Sequence, residues 1–199
     1  MSAGWPNAKA ALRATDASVD SWRAAYQLFL ETRLADRYLK PIRSIRADGS
    51  YSGEGFAILT IQCALLEFLA SLRLGFNYSH GASFGVDFKY GDSRKLFVDF
   101  LRKCAPFESL GLTKAHAESF YANVRCGLVH EAQTKNGWKV WAYNANKIAI
   151  DPINKIVNRD LLADLIDDYL VVYEAELYQS KDLQAAFIRK LDYIQEHSS

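Results

Sequence analysis

One stretch of the sequence is apolar at almost every position, and it limits the folds that the chain can adopt. The run extends from Phe56 to Leu72 and is interrupted by Gln62 and Glu67. A helix that is apolar on all faces lies inside a bundle rather than on its surface. The run is shorter than the roughly 20 residues that a membrane span needs. We therefore predict the central helix of a bundle and no membrane segment.

Apolar residues at helical spacing recur on both sides of this run. Ser, Thr, Asn and Asp are favoured residues at helix starts. They predict five helix starts, at Asp16 or Ser18, at Ser52, at Asp92 or Ser93, at Thr113 and at Asn158. A last helix is predicted from Lys181. We expect a mainly α fold, a bundle of about five or six helices that forms a single domain over residues 1–199. Pro41 is expected to limit the first helix. Residues 1–14 show little pattern and are expected to form a tail or a loosely docked arm.

The period of the sequence changes after residue 136. Residues 137–143 alternate between two sets of side chains, which is typical of a strand, and residues 147–150 form a second short strand pattern. Asn144, Ala145 and Asn146 are suited to a turn between them. We predict a β-hairpin insertion over residues 137–150 that packs on the helices, because an isolated hairpin is only marginally stable.

Composition narrows the classes of function. The net charge of the 199-residue chain is +1, so the overall charge does not indicate a nucleic-acid-binding protein. A local basic patch is nevertheless enough to bind a nucleic acid. The three cysteines form no C-x-x-C pair, and no H-x-H or H-E-x-x-H motif is present. We expect neither a metal site nor a cofactor. The N-terminus lacks an apolar signal core, which predicts a cytoplasmic protein.

The segment from Ala117 to Glu131 carries the residues most suited to chemistry. Apolar residues at i, i+3, i+4 and i+7 predict an amphipathic helix, and Arg125 and His130 interrupt its pattern. An ideal helix sets two residues five positions apart at about 140° around its axis. Arg125 and His130 therefore converge only if the helix ends or bends near Gly127, or if a second chain brings its own copy.

This Arg-x4-His arrangement on a helix resembles the signature of the HEPN superfamily (higher eukaryotes and prokaryotes nucleotide-binding domain). The resemblance implies a small helical bundle that dimerises, with Arg125 and His130 at the dimer seam. It also implies a metal-independent ribonuclease of a toxin–antitoxin or phage-defence system. The expected partners are RNA, a second copy of the chain, and an antitoxin or a nucleotidyltransferase.

RNA carries its own nucleophile, the 2′-hydroxyl group beside each phosphate. A histidine can remove or deliver the proton, and an arginine can hold the phosphate with two parallel hydrogen bonds and stabilise the transition state. We expect these roles for His130 and Arg125. The product would carry a 2′,3′-cyclic phosphate, and DNA would be spared.

Several further residues are candidates for supporting roles. Glu67 is an acid within the apolar run, so it either forms a structural salt bridge or orients Arg125 or His130. Asn123 is a candidate positioning group. Cys126 stands where active members of the superfamily often carry Asn, Asp or His. A stripe of basic residues in the first helix is either a solvated face or a phosphate-contacting surface: Arg33, Arg37 and Lys40.

A structural interpretation of the motif stays open beside the catalytic one. Arg125 can pair with Glu67 or with the acidic helix near the C-terminus, and His130 can cap the motif helix. The corresponding function is a non-catalytic, dimeric HEPN-like module that binds RNA, a nucleotide or a partner protein. Cys126 favours this alternative.

Overall fold

A computed structural model of the chain describes residues 4–14, 17–50, 52–142 and 147–197. Within them the fold is mainly α, as predicted, with seven helices and a few short strands. The helices are α1 (Trp5–Arg13), α2 (19–48), α3 (Glu54–Leu74), α4 (Ser93–Lys103), α5 (114–131), α6 (Arg159–Leu177) and α7 (Lys181–Glu196). The strands are β1 (Asn77–Tyr78), β2 (Lys89–Tyr90), β3 (Lys139–Trp141), β4 (Ile150–Asp151) and β5 (Ile156–Asn158).

Helix α1 corrects the expectation of a tail over residues 1–14. Trp5 and Leu12 are buried, and the Trp5 indole N–H donates a 2.9 Å hydrogen bond to Asp192. Residues 1–3 lie outside the described part. Two large apolar side chains seven residues apart fall on one helical face, so burial rather than a continuous sequence pattern stabilises this helix.

Helix α2 continues past Pro41, where the sequence predicted a limit. A proline lacks the N–H group that an α-helix needs at an interior position. The turn before it is a π turn over Ala35–Leu39, in which the Lys40 N–H bonds to the Ala35 carbonyl five residues back. This wider turn lies directly before Pro41, which cannot donate a backbone hydrogen bond, and the helix continues to Asp48.

The chain divides into two compact units, each assembled from segments distant in sequence. The first unit comprises Met1–Lys40, Ser71–Asp92 and Tyr173–Ser199, and the second comprises Pro41–Ala70 and Ser93–Val172. The single domain expected over residues 1–199 stays a prediction.

The first unit has an aromatic core. The Trp5 ring meets Phe29 edge-on, with 5.1 Å between centroids, and Trp22 meets Phe187 in the same way at 6.2 Å. Such contacts add about 0.5–1.5 kcal/mol each beyond the burial of area. The buried Lys190 ammonium donates a 2.8 Å hydrogen bond to the Phe76 carbonyl, which ties the segment after α3 to helix α7.

The second unit contains the motif helix and most of the apolar run. The side chains of Leu59, Leu65 and Leu66 in α3 are fully buried. Phe97 of α4 stacks on Phe120 of α5, with 6.0 Å between centroids. The motif helix is therefore fixed by its apolar face.

The strands of the second unit correct the predicted hairpin. Strand β5 lies between β3 and β4, pairing with β3 in parallel and with β4 in antiparallel orientation. The predicted partners, β3 and β4, do not pair directly. No strand was predicted at residues 156–158, which form the central strand. The expected turn at residues 144–146 lies outside the described residues.

Helix α3 is long and apolar enough to cross a membrane by length and composition alone. More than half of its apolar window is buried within the structure, including Ile58 and Leu69. This burial is what the core helix of a soluble protein shows, and it agrees with the position predicted for the run.

Candidate functional site

The motif helix α5 begins at a capping residue and contains one wide turn. The Thr113 hydroxyl accepts a 3.1 Å hydrogen bond from the His116 N–H. Tyr121–Arg125 form a π turn that closes with the Cys126 N–H bonding to the Tyr121 carbonyl. Single π turns inside α-helices occur frequently at functional sites. Arg125 is the last residue of this turn.

Gly127 does not end the helix. The helix continues to Glu131, and Ala132 then adopts the left-handed conformation with φ 54°. A Cβ atom on Gly127 would lie 2.5 Å from the carbonyl oxygen of Gln133, so the glycine makes room for the chain as it turns back. The first proposed route to convergence of Arg125 and His130, a helix end near Gly127, is therefore absent.

Arg125 forms an ion pair with Glu67. Its Nη2 atom donates a 2.7 Å hydrogen bond to Glu67 Oε2, and the two side chains are 19% and 16% exposed. Burial lowers the pKa of the Arg125 guanidinium, but the Glu67 carboxylate, together with Tyr121 and Cys126, raises the pKa by more. Arg125 is thus a permanent cation. Its Nε and Nη1 atoms form no hydrogen bond within the described residues, and neither is an enclosed atom.

His130 lies on a different side of the helix. It is exposed and has no hydrogen bond or ion pair within the part of the chain that the structure describes. The residues that follow Arg125, up to His130, are α-helical. Five positions of an α-helix therefore set the directions of the Arg125 and His130 side chains about 140° apart around the helix axis. One chain does not bring Arg125 and His130 to a common point. The cap role considered for His130 is also unfilled, because Ala132 supplies the left-handed residue.

Asn123 contacts the loop that follows the motif helix. Its Nδ2 atom donates to Ser119 Oγ at 3.1 Å, and its Oδ1 atom accepts from Asn136 Nδ2 at 2.7 Å. The Asn123 carbonyl also accepts a 2.8 Å hydrogen bond from the Lys135 N–H. These bonds hold the returning loop on the helix, so Asn123 positions this loop, and its supporting role at a site stays a prediction.

Cys126 is a half-buried free thiol close to the ion pair. It interacts electrostatically with Tyr121 and Arg125. The neighbouring Cys63 is fully buried, and burial raises the pKa of its thiol to about 12. Cys63 therefore stays a neutral, apolar member of the core beside Arg125.

The predicted basic stripe lies in the first unit and is only partly neutralised. Lys40 pairs with Asp36 at 2.5 Å. Arg33 and Arg37 form no ion pair within the described residues. Burial lowers the pKa of Arg33, and the neighbouring charge of Arg37 lowers it further. Two arginines therefore leave a local positive charge on this face of α2.

Sequence analysis did not single out Arg94, which the structure places beside the motif helix. The Arg94 guanidinium carbon lies 5.9 Å from the centroid of the Tyr121 ring, and that of Arg125 lies 5.6 Å from the same centroid. Arg94 belongs to the first turn of α4. A single exposed cation on a helix does not stand out in the sequence, because it follows no repeated spacing.

Metal-binding groups and cavities were sought as other candidate sites within the described residues. Within residues 4–14, 17–50, 52–142 and 147–197, no group of three His, Cys, Asp or Glu side chains is placed to hold a metal ion. A cavity of about 600 Å³ in the first unit is lined in part by Arg73 and Arg189, and one of about 470 Å³ in the second by Asp164 and Asp168. Neither contains Arg125 or His130.

No protein-family model, curated protein or solved structure matches the chain.

Proposed function

We propose that the chain is a cytoplasmic, metal-independent endoribonuclease of the HEPN type. Its site is composite and lies at a homodimer seam, where Arg125 holds the scissile phosphate and His130 transfers the proton from the 2′-hydroxyl group. The observation that carries the proposal is that both side chains offer groups without a hydrogen-bond partner among the described residues: two guanidinium nitrogens of Arg125 and the imidazole of His130.

The separation of Arg125 and His130 is the reason for a dimer. A two-fold axis beside the motif helix would put His130 of the partner subunit opposite Arg125, and would repeat the arrangement in the other half. Val129, next to His130, is 50% exposed and offers such a seam an apolar contact. Arg33, Arg37 and Lys40 contact the RNA backbone, and a toxin or phage-defence role accompanies the activity.

The test is cleavage of end-labelled RNA in the presence of EDTA. We expect the wild type to cut RNA to 2′,3′-cyclic phosphate ends and to leave DNA intact, and His130→Ala to abolish cutting. His116→Ala is the matched control, because it removes a histidine from the first turn of the same helix, and it should retain activity. A product with a 3′-hydroxyl end, or full activity of His130→Ala, would overturn the mechanism.

A second candidate function is favoured by one contact. Because Glu67 already neutralises Arg125, the pair can be purely structural, and Cys126 departs from the residue frequent in active HEPN proteins. The function is then a non-catalytic dimeric module that binds RNA, a nucleotide or a partner protein, with an antitoxin or nucleotidyltransferase as a further partner. Absence of cleavage by a folded, dimeric wild type would select this candidate.

A further inference from the structure

The short sheet of β1 and β2 in the first unit holds two aromatic rings at the surface. Tyr78 of β1 is 51% exposed, and Phe88, directly before β2, is 48% exposed. Tyr78 is paired in register with Tyr90, two residues after Phe88. Tyr78 and Phe88 are therefore diagonal neighbours across the sheet, about 7–8 Å apart. One small sheet thus presents two large rings to solvent, close enough for neighbouring groups of one ligand to contact both.

The backbone that carries Phe88 is unusual. Asp87 and Phe88 both adopt the left-handed conformation, with φ 51° and 54°. This conformation costs free energy in residues other than glycine, and most in bulky ones. Burial of Phe88 does not offset the cost, because about half of its side chain stays exposed. An unfavourable backbone that keeps a large ring at the surface is typical of a binding site.

An arginine lies over the exposed Phe88 ring. The Arg189 guanidinium carbon is 4.0 Å from the Phe88 centroid, and Nη2 donates a 3.1 Å hydrogen bond to the Leu74 carbonyl. These two contacts hold the guanidinium in place. Its Nη1 atom is neither enclosed nor hydrogen-bonded within the described residues, and Arg189 forms no ion pair there. Nη1 can therefore donate to a ligand beside the ring.

The charges around Phe88 leave a small positive excess. Lys89 and Asp87 flank it in the chain, are exposed and form no ion pair within the described residues, so their charges offset each other. Asp182 acts on Arg189 electrostatically from seven residues earlier on α7, roughly 10 Å along the helix. An anionic group that reaches Nη1 comes much closer to the Arg189 charge than this carboxylate, and it is attracted.

Exposed rings beside a cation match the chemistry of single-stranded nucleic acids. Bases stack on aromatic side chains, and the phosphates between them are attracted by a guanidinium group. We propose that Tyr78 and Phe88 form a base-stacking surface for single-stranded RNA, and that Arg189 attracts the phosphate beside the stacked base. The choice of RNA as ligand rests on the proposed ribonuclease, whose substrate class this surface narrows to unpaired RNA.

The first test compares RNA with and without bases. A single-stranded 2′-methoxy oligouridylate, which the proposed mechanism cannot cleave, is titrated by fluorescence anisotropy beside an oligomer of equal length and charge that lacks bases. We expect the wild type to bind the oligouridylate at least tenfold more tightly, because stacking of each base contributes about that factor. Single-stranded DNA should compete, and duplex RNA should not, because its bases are already stacked on one another.

The second test removes the rings but keeps apolar bulk. We expect Tyr78→Leu and Phe88→Leu each to weaken binding of the oligouridylate about tenfold, without affecting the oligomer that lacks bases, and Phe88→Tyr to bind like the wild type. Val86→Ala is the matched control, because it truncates a 59% exposed side chain of the same loop that has no ring. It should bind as the wild type does. Circular dichroism checks that each variant is folded.

Three results would overturn the surface. The first is equal affinity of the wild type for the oligomers with and without bases, which needs no variant. The second is binding of the oligouridylate by Tyr78→Leu and Phe88→Leu equal to that of Val86→Ala. The third is binding of phosphatidylserine vesicles that Val86→Ala weakens as much as Phe88→Leu does, with no effect of either on RNA binding. That result would assign the loop to a lipid surface.

The two proposals fail in different ways. With cleavable RNA, Phe88→Leu should raise KM several-fold while kcat changes little. If binding of the oligouridylate depends on the rings but the wild type does not cleave RNA, the stacking surface stands and the ribonuclease is wrong. If the wild type cleaves and Phe88→Leu equals Val86→Ala in binding and in KM, the ribonuclease stands and the stacking surface is wrong.

Discussion

At the scale of single residues, the Arg125 guanidinium and the Glu67 carboxylate form a short hydrogen bond in a setting where both side chains are less than one-fifth exposed. Removing two charges from water is costly, and their attraction offsets this cost only if the pair stays together. Loss of either partner leaves a poorly solvated charge behind. The cost of separating the pair therefore holds the Arg125 side chain against Glu67.

A double-mutant cycle measures this pair. We expect Glu67→Gln and Arg125→Ala each to lower the free energy of unfolding by about 1–3 kcal/mol, and the cycle to return a coupling energy of about 1 kcal/mol. Urea denaturation supplies the four free energies.

The control for this cycle is the pair of Arg43 and Asp167, which lies in the same unit at 3.1 Å but is 58% and 46% exposed. Its cycle of Arg43→Ala and Asp167→Asn should give no more than about 0.5 kcal/mol, because water screens it. Equal coupling in both cycles would contradict a special role of burial at Glu67.

Sequence analysis identified Glu67, the partner of Arg125, but missed Arg94, which lies beside Tyr121, and the reason is physical. Glu67 is conspicuous because an acid inside an apolar run must find a cation. Arg94 is an exposed cation among many, and its position beside Tyr121 depends on how α4 packs against α5. Such a contact between helices leaves no trace in local spacing.

At the scale of elements, the capping signals of the sequence were accurate, whereas the expected tail over residues 1–14, the limit at Pro41 and the strand pairing were not. Thr113 and Asn158 cap α5 and α6 through their side chains, as predicted, because a cap needs only neighbours within three residues. Strand β5 was missed because three residues between a turn and a cap carry little pattern, and its parallel pairing with β3 spans a long stretch of chain.

The turn between β4 and β5 supports a prediction about pH. Buried Asp151 accepts hydrogen bonds from the N–H groups of Asn154 and Ile153, at 2.9 Å and 3.1 Å, and from Asn154 Nδ2 at 2.8 Å. The bonds from Asn154, and then that from Ile153, lower the pKa of Asp151 in the folded state. A lowered pKa stabilises the fold above the unfolded-state value of about 3.9, and this stabilisation is lost as the pH falls through the folded-state value.

We expect Asp151→Asn to lower the free energy of unfolding by about 1 kcal/mol at pH 7, and the difference from the wild type to shrink as the pH falls below about 4. Denaturation curves from pH 7 to pH 3 measure it. Asp164→Asn, at an exposed carboxylate of the same unit, should show no such difference. If the difference in free energy of unfolding between Asp151→Asn and the wild type stays constant with pH, the lowered pKa of Asp151 in the folded state is wrong.

At the scale of the whole molecule, the helical periodicity predicted the fold class. Most apolar side chains lie on helices, and their spacing in the sequence shows which face of each helix is buried. The assembly of each unit from separate segments was beyond the same reasoning, since it depends on contacts between residues far apart in sequence. The proposed site has the same property on a larger scale, because Arg125 and His130 point apart in one chain and can meet only across two copies.

Subunit mixing tests this composite arrangement. Arg125→Ala and His130→Ala are each expected to be inactive, but in a mixed dimer one seam site combines Arg125 of one subunit with His130 of the partner subunit, while the other site lacks both. Random exchange at equal amounts makes half of the dimers mixed, each with one intact site of two, so roughly one quarter of wild-type ribonuclease activity should return. Mixing Arg125→Ala with the double variant of both positions is the matched control and should restore none. If co-purification through a tag on one variant proves exchange and activity stays absent, then Arg125 and His130 do not act across the seam.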